Sequence, residues 1–307
     1  MSGVGPAAEP LDSIWLRAMP LVFVLIWSTG FIVARYGMPH APPFTFLLAR
    51  YLLSVLCFLP WILLSGARWP SGRQQWLHLA VTGTLMHAGY LGGVWAAVRS
   101  GIGAGTVALI VGLQPLLTAM WVAGLARPAV AGGEVRERLT WRQWMGLMMG
   151  LAGLLMVVWH KLGQGEIQAF NLAAALAALL SITVGTLYQK RFVKPCDVRT
   201  ANSVQLLAAA VVSLPVALLE PGQVDWHPEL FGAMAWSVLA LTLGGSSLLY
   251  LLIKRGAATR VTSLLYLVPP CTAVMAWLLF DESFGGLTLP GIALTVAGVA
   301  WVVRGGR

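Results

Sequence analysis

Charge is what this sequence has least of. Only 10% of its 307 residues are Asp, Glu, Lys or Arg, where a soluble domain carries roughly a quarter. Hydrophobic residues make up 58%, so the chain reads as an integral membrane protein. Acidic groups are scarcest: all eleven Asp and Glu fall in tails, in connections or at the ends of apolar runs. No carboxylate pair, metal cluster or triad is therefore available inside an apolar run, which argues against an enzyme and against a resident metal or cofactor. Cysteine is scarce too. Cys57, Cys196 and Cys271 are odd in number and scattered, without CxxC or Cys/His spacing, which excludes a disulfide framework or a zinc site. Gly101-Ile-Gly-Ala-Gly lacks the spacing of a dinucleotide fingerprint and follows an apolar run rather than a strand. The formal net charge of +9 does not mark a nucleic-acid binder, because the basic residues sit between apolar runs instead of forming one stripe.

Long apolar runs are what the sequence has instead. Gly101 to Leu125 contains no charged residue, and as a helix it would be roughly 37 Å long, beyond the ~30 Å hydrocarbon core. Nine further spans are expected, giving ten at 18–34, 43–64, 76–98, 101–125, 143–159, 169–189, 200–219, 230–253, 258–280 and 287–303. None alternates with period two, so the fold class is all-α rather than a barrel. Residues 1–14, rich in Pro, Gly and Ala, read as a disordered cytoplasmic arm. The first span follows Arg17 but lacks a small-x-small cleavage site, so it is expected to be retained rather than removed as a signal.

Lys and Arg distribute unevenly between the two sets of connections. With the amino terminus inside, the outer connections hold only Arg35, Arg99 and Lys161, and Arg50 lies within the second span. The remaining sixteen are inside, which predicts a multi-pass membrane protein with both termini cytoplasmic. The sequence also repeats itself. At an offset of 155, Arg35 meets Lys190, Arg50 meets Gln205 and Pro60 meets Pro215; at 154, Pro115 meets Pro269; at 145, Glu137, Gly146 and Gly153 meet Glu282, Gly291 and Gly298. Five spans per copy is an odd number, so the copies cross the membrane in opposite senses: ten transmembrane helices in two inverted five-helix repeats, an architecture of secondary transporters.

Trp27 to Leu53 (WSTGFIVARYGMPHAPPFTFLLARYLL), with its aromatic-small-small pattern, proline-containing loop and Arg50-Tyr51 pair, resembles the opening of the EamA-type branch of the drug/metabolite transporter superfamily. Glu137 to Val158 is similar to the end of that family's first repeat, and Leu267 to Val303 to the end of its second. The resemblance implies a first repeat at 15–160, a second at 161–307, and a carrier that exports amino acids, metabolites or drug-like compounds. Two departures lie at membrane surfaces: Pro128 to Arg136 lengthens one loop, and Asp281 stands where the family commonly has Gly.

Arg50 is the only formal charge well inside a span, roughly 10 Å from the outer end of its helix. It either anchors a substrate anion or serves the structure by snorkelling or bonding freed carbonyls. Polar and aromatic groups at helical spacing form stripes: Trp27 with Phe31, His87 with Tyr90, Asn202 with Gln205, Ser246 with Tyr250, and Tyr266 with Pro270. Interhelical bonding and interfacial belts explain some of these. The substrate-site candidates are Trp27, Arg50, His87, Tyr90, Gln114, Gln205, Tyr250 and Tyr266, and Pro115, Pro269 and Pro270 are candidates for kinks or gating. With no acid inside a span and His87 the one deep group that titrates near neutrality, facilitated transport or exchange is expected without obligatory proton movement. The expected partners are a small-molecule substrate and the lipid bilayer, and a homodimer is left open. A channel without alternating access is the competing reading, although no ring of like charges or filter sequence supports it.

Overall fold

A computed structural model describes residues 10–125, 141–163, 165–248, 267–282 and 286–304. Among them every regular element is helical, as an apolar environment demands of a backbone that must satisfy its own hydrogen bonds. The helices are α1 (Pro10–Gly37), α2 (Pro43–Ser65), α3 (Arg73–Gly83), α4 (Tyr90–Arg99), α5 (Ala104–Val111), α6 (Gln114–Leu125), α7 (Trp141–Gly163), α8 (Ala169–Phe192), α9 (Val198–Leu219), α10 (Pro228–Ala235), α11 (Val268–Phe280) and α12 (Thr288–Arg304). Six continuous helices are long and apolar enough to cross a membrane. Their outward faces carry what a soluble protein would bury: Leu64 is 89% exposed and Leu219 83%.

Local chemistry sets the boundaries. Pro43 opens α2, where its missing N–H costs nothing, and Gly66 closes it in the left-handed conformation (φ 60°), donating its N–H to the Ile62 carbonyl. The run expected as one helix from Gly101 to Leu125 is in fact two. α5 stops at Val111, and α6 restarts at Gln114 with Pro115 as its second residue. A proline ring clashes with the carbonyl four residues back and offers it no donor; here that carbonyl belongs to Val111, the last residue of α5. Pro269 likewise stands in the first turn of α11. Both prolines start helices, and the turn before α6 lies against the start of α11: a Cβ on Gly112 would run into the Pro269 ring.

Two further irregularities lie in the helical interior. α3 passes into α4 through a π-helical segment, Thr84–Gly89, and α10 continues into another, Trp236–Gly245. Shifted by 155, the first falls within the second, just as α2 falls on α9.

Packing uses small residues where backbones touch. In α7 and α12, Gly153 faces the Gly291 carbonyl and Gly298 faces Gly150, so a methyl group at these places would push the helices apart. Elsewhere polar side chains bridge helices. Thr272 of α11 donates to the Ser28 carbonyl of α1 at 3.1 Å, and Trp236 Nε1 donates to Thr29 Oγ1 at 2.8 Å.

The two ends of the bundle differ in charge. At one end, His40 bonds Asp225 and Glu229. Glu220 accepts from the backbone N–H groups of Phe44 and Thr45, and Glu166 and Glu282 accept from the first turn of α5. At the other end, Gln75 bonds the Lys194 backbone, Thr200 donates to the Arg68 carbonyl, and His78 Nδ1 lies 2.8 Å from Tyr188 Oη. These five carboxylates lie at the first end, beside His40, Arg99 and Lys161, while Arg68, Arg73, Lys190, Arg191, Lys194 and Arg199 gather at the second.

Candidate functional site

The cavity that matters lies where both π segments face α1, α2, α4, α8 and α9. It encloses ≈ 130 Å³. A π turn inserts a residue into the helical ladder and re-aims side chains, and such turns recur at functional sites. Here the first presents Met86 and His87 to the cavity and the second presents Leu241 and Thr242. Trp27 and Phe31 of α1 form one apolar wall, Tyr90 and Trp95 of α4 another, and Asn202 and Ser246 add neutral polar groups.

Arg50 is the charge in this space. Its residue is 8% exposed, and its Nη2 donates a 3.3 Å hydrogen bond to Thr242 Oγ1. The Thr242 hydroxyl spends its own proton on the Ser237 carbonyl, 2.8 Å away within the π segment, so it can only accept from the guanidinium. Among the described residues Arg50 Nε, itself buried, has no hydrogen-bond partner. Among the described residues no carboxylate forms an ion pair with Arg50. Neighbouring groups are fixed firmly. Tyr51, fully buried, donates from Oη to the His87 carbonyl at 2.9 Å and holds its ring edge-on to the His87 imidazole, 6.0 Å between centroids. At Gly83 the backbone of α3 presses against the Gln205 backbone so closely that a Cβ has no room.

Of the residues singled out in the sequence, Trp27, Arg50, His87 and Tyr90 line the cavity together. Gln205, the counterpart of Arg50 in the repeat, is buried against Gly83 of α3 and is not in the lining. Gln114 bonds Thr186 Oγ1 of α8 at 2.9 Å and does not border the cavity. Pro115, Pro269 and Pro270 lie at the starts of α6 and α11, outside the lining. Tyr250 and Tyr266 lie outside the described residues. Thr242 was not singled out; its signal was position, four residues before Ser246, but threonine is ordinary in an apolar helix, where it can bond a carbonyl of the preceding turn.

A second cluster lies at the acidic end. His40, His227 and Glu229 bring potential ligand atoms within 4.8 Å of one another. Both ring nitrogens of His40 are already engaged, by Asp225 at 2.9 Å and Glu229 at 3.1 Å, and the His227 ring stacks on it at 4.4 Å. Those two bonds raise the His40 pKa above 6.5. The arrangement is a clasp between two connections, fully explained by its own hydrogen bonds.

Comparison with known proteins gives consistent results. Residues 15–159 and 170–304 each match the EamA-like transporter family. The chain is 28% identical over 278 residues to the "Uncharacterized inner membrane transporter YedA" of Escherichia coli (strain K12), covering 90% of this chain and 84% of the relative. It is 23% identical to an "Uncharacterized transporter" of Archaeoglobus fulgidus, with 90% and 93% covered. With the "Probable amino-acid metabolite efflux pump" of Salmonella typhimurium it shares 24% identity, with 94% and 95% covered. A solved structure titled "Crystal structure of protein" superposes with a TM-score of 0.61 at 20% identity, over 94% of this chain and 98% of that one; at that identity the likeness concerns the fold alone.

Proposed function

The chain belongs to the EamA-like transporter family, and from that premise we propose that it is a secondary carrier exporting small metabolites across a bacterial cytoplasmic membrane by alternating access. One observation carries the reading: a buried guanidinium without a carboxylate faces a cavity bordered by helices from both halves of the chain. An uncompensated buried charge is costly, and a bound anion offsets that cost. Arg50 is thus the anchor of the substrate's anionic group, with Trp27, Tyr90 and His87 around its body.

The architecture we propose is ten spans in two inverted five-helix repeats, 15–160 and 161–307. Three features support it: the coincidence of α2 with α9 at an offset of 155, the overlap of the two π segments at the same offset, and the equivalent places of Pro115 and Pro269. In this reading the two proline-bearing helices move against each other to open the cavity to one side or the other, and the contact of Gly112 with Pro269 is in keeping with that. Both termini are cytoplasmic, as the excess of Lys and Arg on one side indicates. Because no acid lies within a span, movement proceeds as facilitated transport or exchange without obligatory proton transfer.

The test is flux into proteoliposomes. A carrier saturates and shows counterflow, in which unlabelled substrate on one side drives labelled substrate the other way. Linear flux without counterflow would make the protein a channel and end the alternating-access reading. Reporter fusions after residues 70, 133, 196, 257 and 307 should all report cytoplasm, and a periplasmic signal from any of them would break the topology.

A further inference from the structure

Resting on the carrier reading, we infer that the substrate is a small monocarboxylate with an apolar or aromatic body and no ammonium group: a 2-oxo or 2-hydroxy acid rather than a free amino acid or an organic cation. The first half of the inference is geometric. Among the described residues, Arg50 has a buried Nε without a partner and an Nη2 whose bond to Thr242 is 3.3 Å long. A guanidinium presents such donors side by side in a fixed plane, which is the complement of a carboxylate's two oxygens. The walls beyond it are Trp27, Phe31, Tyr90 and Trp95, so the body meeting them is apolar.

The second half comes from what a cationic group would find. The described lining contains no Asp or Glu. The sequence extends this to the residues between 249 and 266, which contain none either, so no conformation of that segment can bring a carboxylate to the cavity. An ammonium there would lose its hydration, face Arg50 as a like charge in a medium of low dielectric, and find no counter-ion. Asn202, Ser246 and the aromatic faces offer neutral acceptors and cation–π contacts, which return only part of that loss. The deaminated acid avoids it and leaves the loaded site neutral. The cavity of ≈ 130 Å³ is also well below the ~300–1,000 Å³ of drug-sized pockets, which limits the body to one ring or one short branched chain.

The experiment uses series that share one apolar body and vary the charged groups on it: phenylpyruvate, phenyllactate, phenylalanine and phenethylamine, then 4-methyl-2-oxopentanoate, leucine and isoamylamine. Each is titrated against the purified full-length protein in detergent, with thermal unfolding as the readout, because a ligand that binds only the folded state raises Tm. In at least one series the oxo or hydroxy acid should bind roughly tenfold or more tightly than its amino acid, with the amine showing no shift. Equal binding of the amino acid, any shift with an amine, or no shift with any acid would overturn the inference. Arg50→Gln should remove the shift, and Arg50→Lys, which keeps the charge without the fork, should weaken it while preserving the order acid over amine. Binding of the acids unchanged in both variants would overturn it too. Counterflow separates the two readings: acids that bind in this order but show no flux leave the ligand class standing and remove the carrier.

Discussion

Lys161 and Arg50 are buried to nearly the same degree, 4% and 8% exposed, yet they sit in opposite surroundings. At the acidic end, Lys161 Nζ lies 2.6 Å from Glu166 Oε2, and the other carboxylate oxygen accepts from Gly103 N–H at 2.8 Å and Thr106 Oγ1 at 3.1 Å. That is a charge whose needs are met within the protein. In the cavity, Arg50 has one hydroxyl and a free Nε. Charges that hold the bundle together are paired, and the one left incomplete faces the space where a ligand would complete it. A purely structural Arg50 would be expected to have a carboxylate partner, as Lys161 does.

The difference predicts opposite outcomes for the two residues. Arg50→Gln, which copies the residue at the equivalent place in the second repeat, should reduce transport roughly 10²-fold or more, the scale of losing one partner of a desolvated pair. Its melting temperature should stay the same or rise, since an uncompensated charge leaves the interior. Flux assays and thermal unfolding on the same preparation test both halves. A variant that transports normally, or one that melts well below the wild type, would make Arg50 a structural residue like Lys161.

Lys161→Met should do the reverse. Removing it leaves Glu166 buried with its helix N–H and threonine donors but without its counter-ion, and the loss should be about 2–3 kcal/mol. That corresponds to a fall in Tm of roughly 5 °C for a chain of this size. Transport per folded molecule should be unchanged in liposomes at low temperature. A transport defect without a fall in Tm would move the functional centre toward the acidic end.

Much of this contrast was legible before any coordinates. Arg50 announced itself as the charge inside a span, and Lys161 as one of few cations on its side. The stripe holding Trp27 and Phe31 lies on the cavity, because helical spacing places residues on one face wherever the helix is regular; His87 and Tyr90 also line it, although His87 is in the first π segment. What could not be read was the departure from regularity. Nothing in Thr84–Gly89 or Trp236–Gly245 marks a π turn locally, and the turns decide that Thr242 reaches Arg50. Gln114 shows the converse: an amide in an apolar run signals a need for a partner, and Thr186 meets that need away from the cavity. Pro115 was expected to bend a helix; starting one satisfies the same restriction on Val111.

Glu282 tests whether the acidic end tolerates loss of charge as the cavity does not. Its two oxygens accept from Ala104 N–H at 2.7 Å and Gly105 N–H at 3.2 Å, bonds that favour the ionised form. Burial outweighs them and, with Glu166 nearby, raises its pKa above the ordinary 4.5. A raised carboxyl pKa contributes stability that is fully present below the unfolded value and is lost as pH rises through the folded one. Wild-type Tm should therefore carry a component that declines as pH climbs from about 4.5, the unperturbed value. In Glu282→Gln, whose amide oxygen still accepts from the helix, that component should vanish while transport at neutral pH persists. A pH–Tm profile identical in the two proteins would show that Glu282 does not titrate in that window.

Asp281, the next residue, belongs to neither class: it is exposed, and its backbone is left-handed at φ 53° and ψ 30°. It closes α11, donating its N–H toward the Trp277 carbonyl at 3.2 Å. This is the helix-ending position that favours glycine, which gives a physical reason for the Gly that the family commonly has there. Aspartate is among the few residues that tolerate the conformation, so relief of strain in Asp281→Gly is largely offset by the entropy glycine loses on folding, about 0.5–1 kcal/mol. The carboxylate adds a second, separable cost, because it stands at the negative end of a helix dipole, an effect of about 0.3–1 kcal/mol. Asp281→Asn removes the charge and keeps a residue suited to the left-handed region. Both variants should therefore stabilise by about half a kcal/mol, one or two degrees in Tm, with transport unaffected. Stabilisation by glycine but not asparagine would assign the whole cost to the backbone and leave the charge irrelevant. A loss of transport in either variant would show that an exposed charge at the acidic end also serves the substrate, which is the outcome that would collapse the distinction between the two regions.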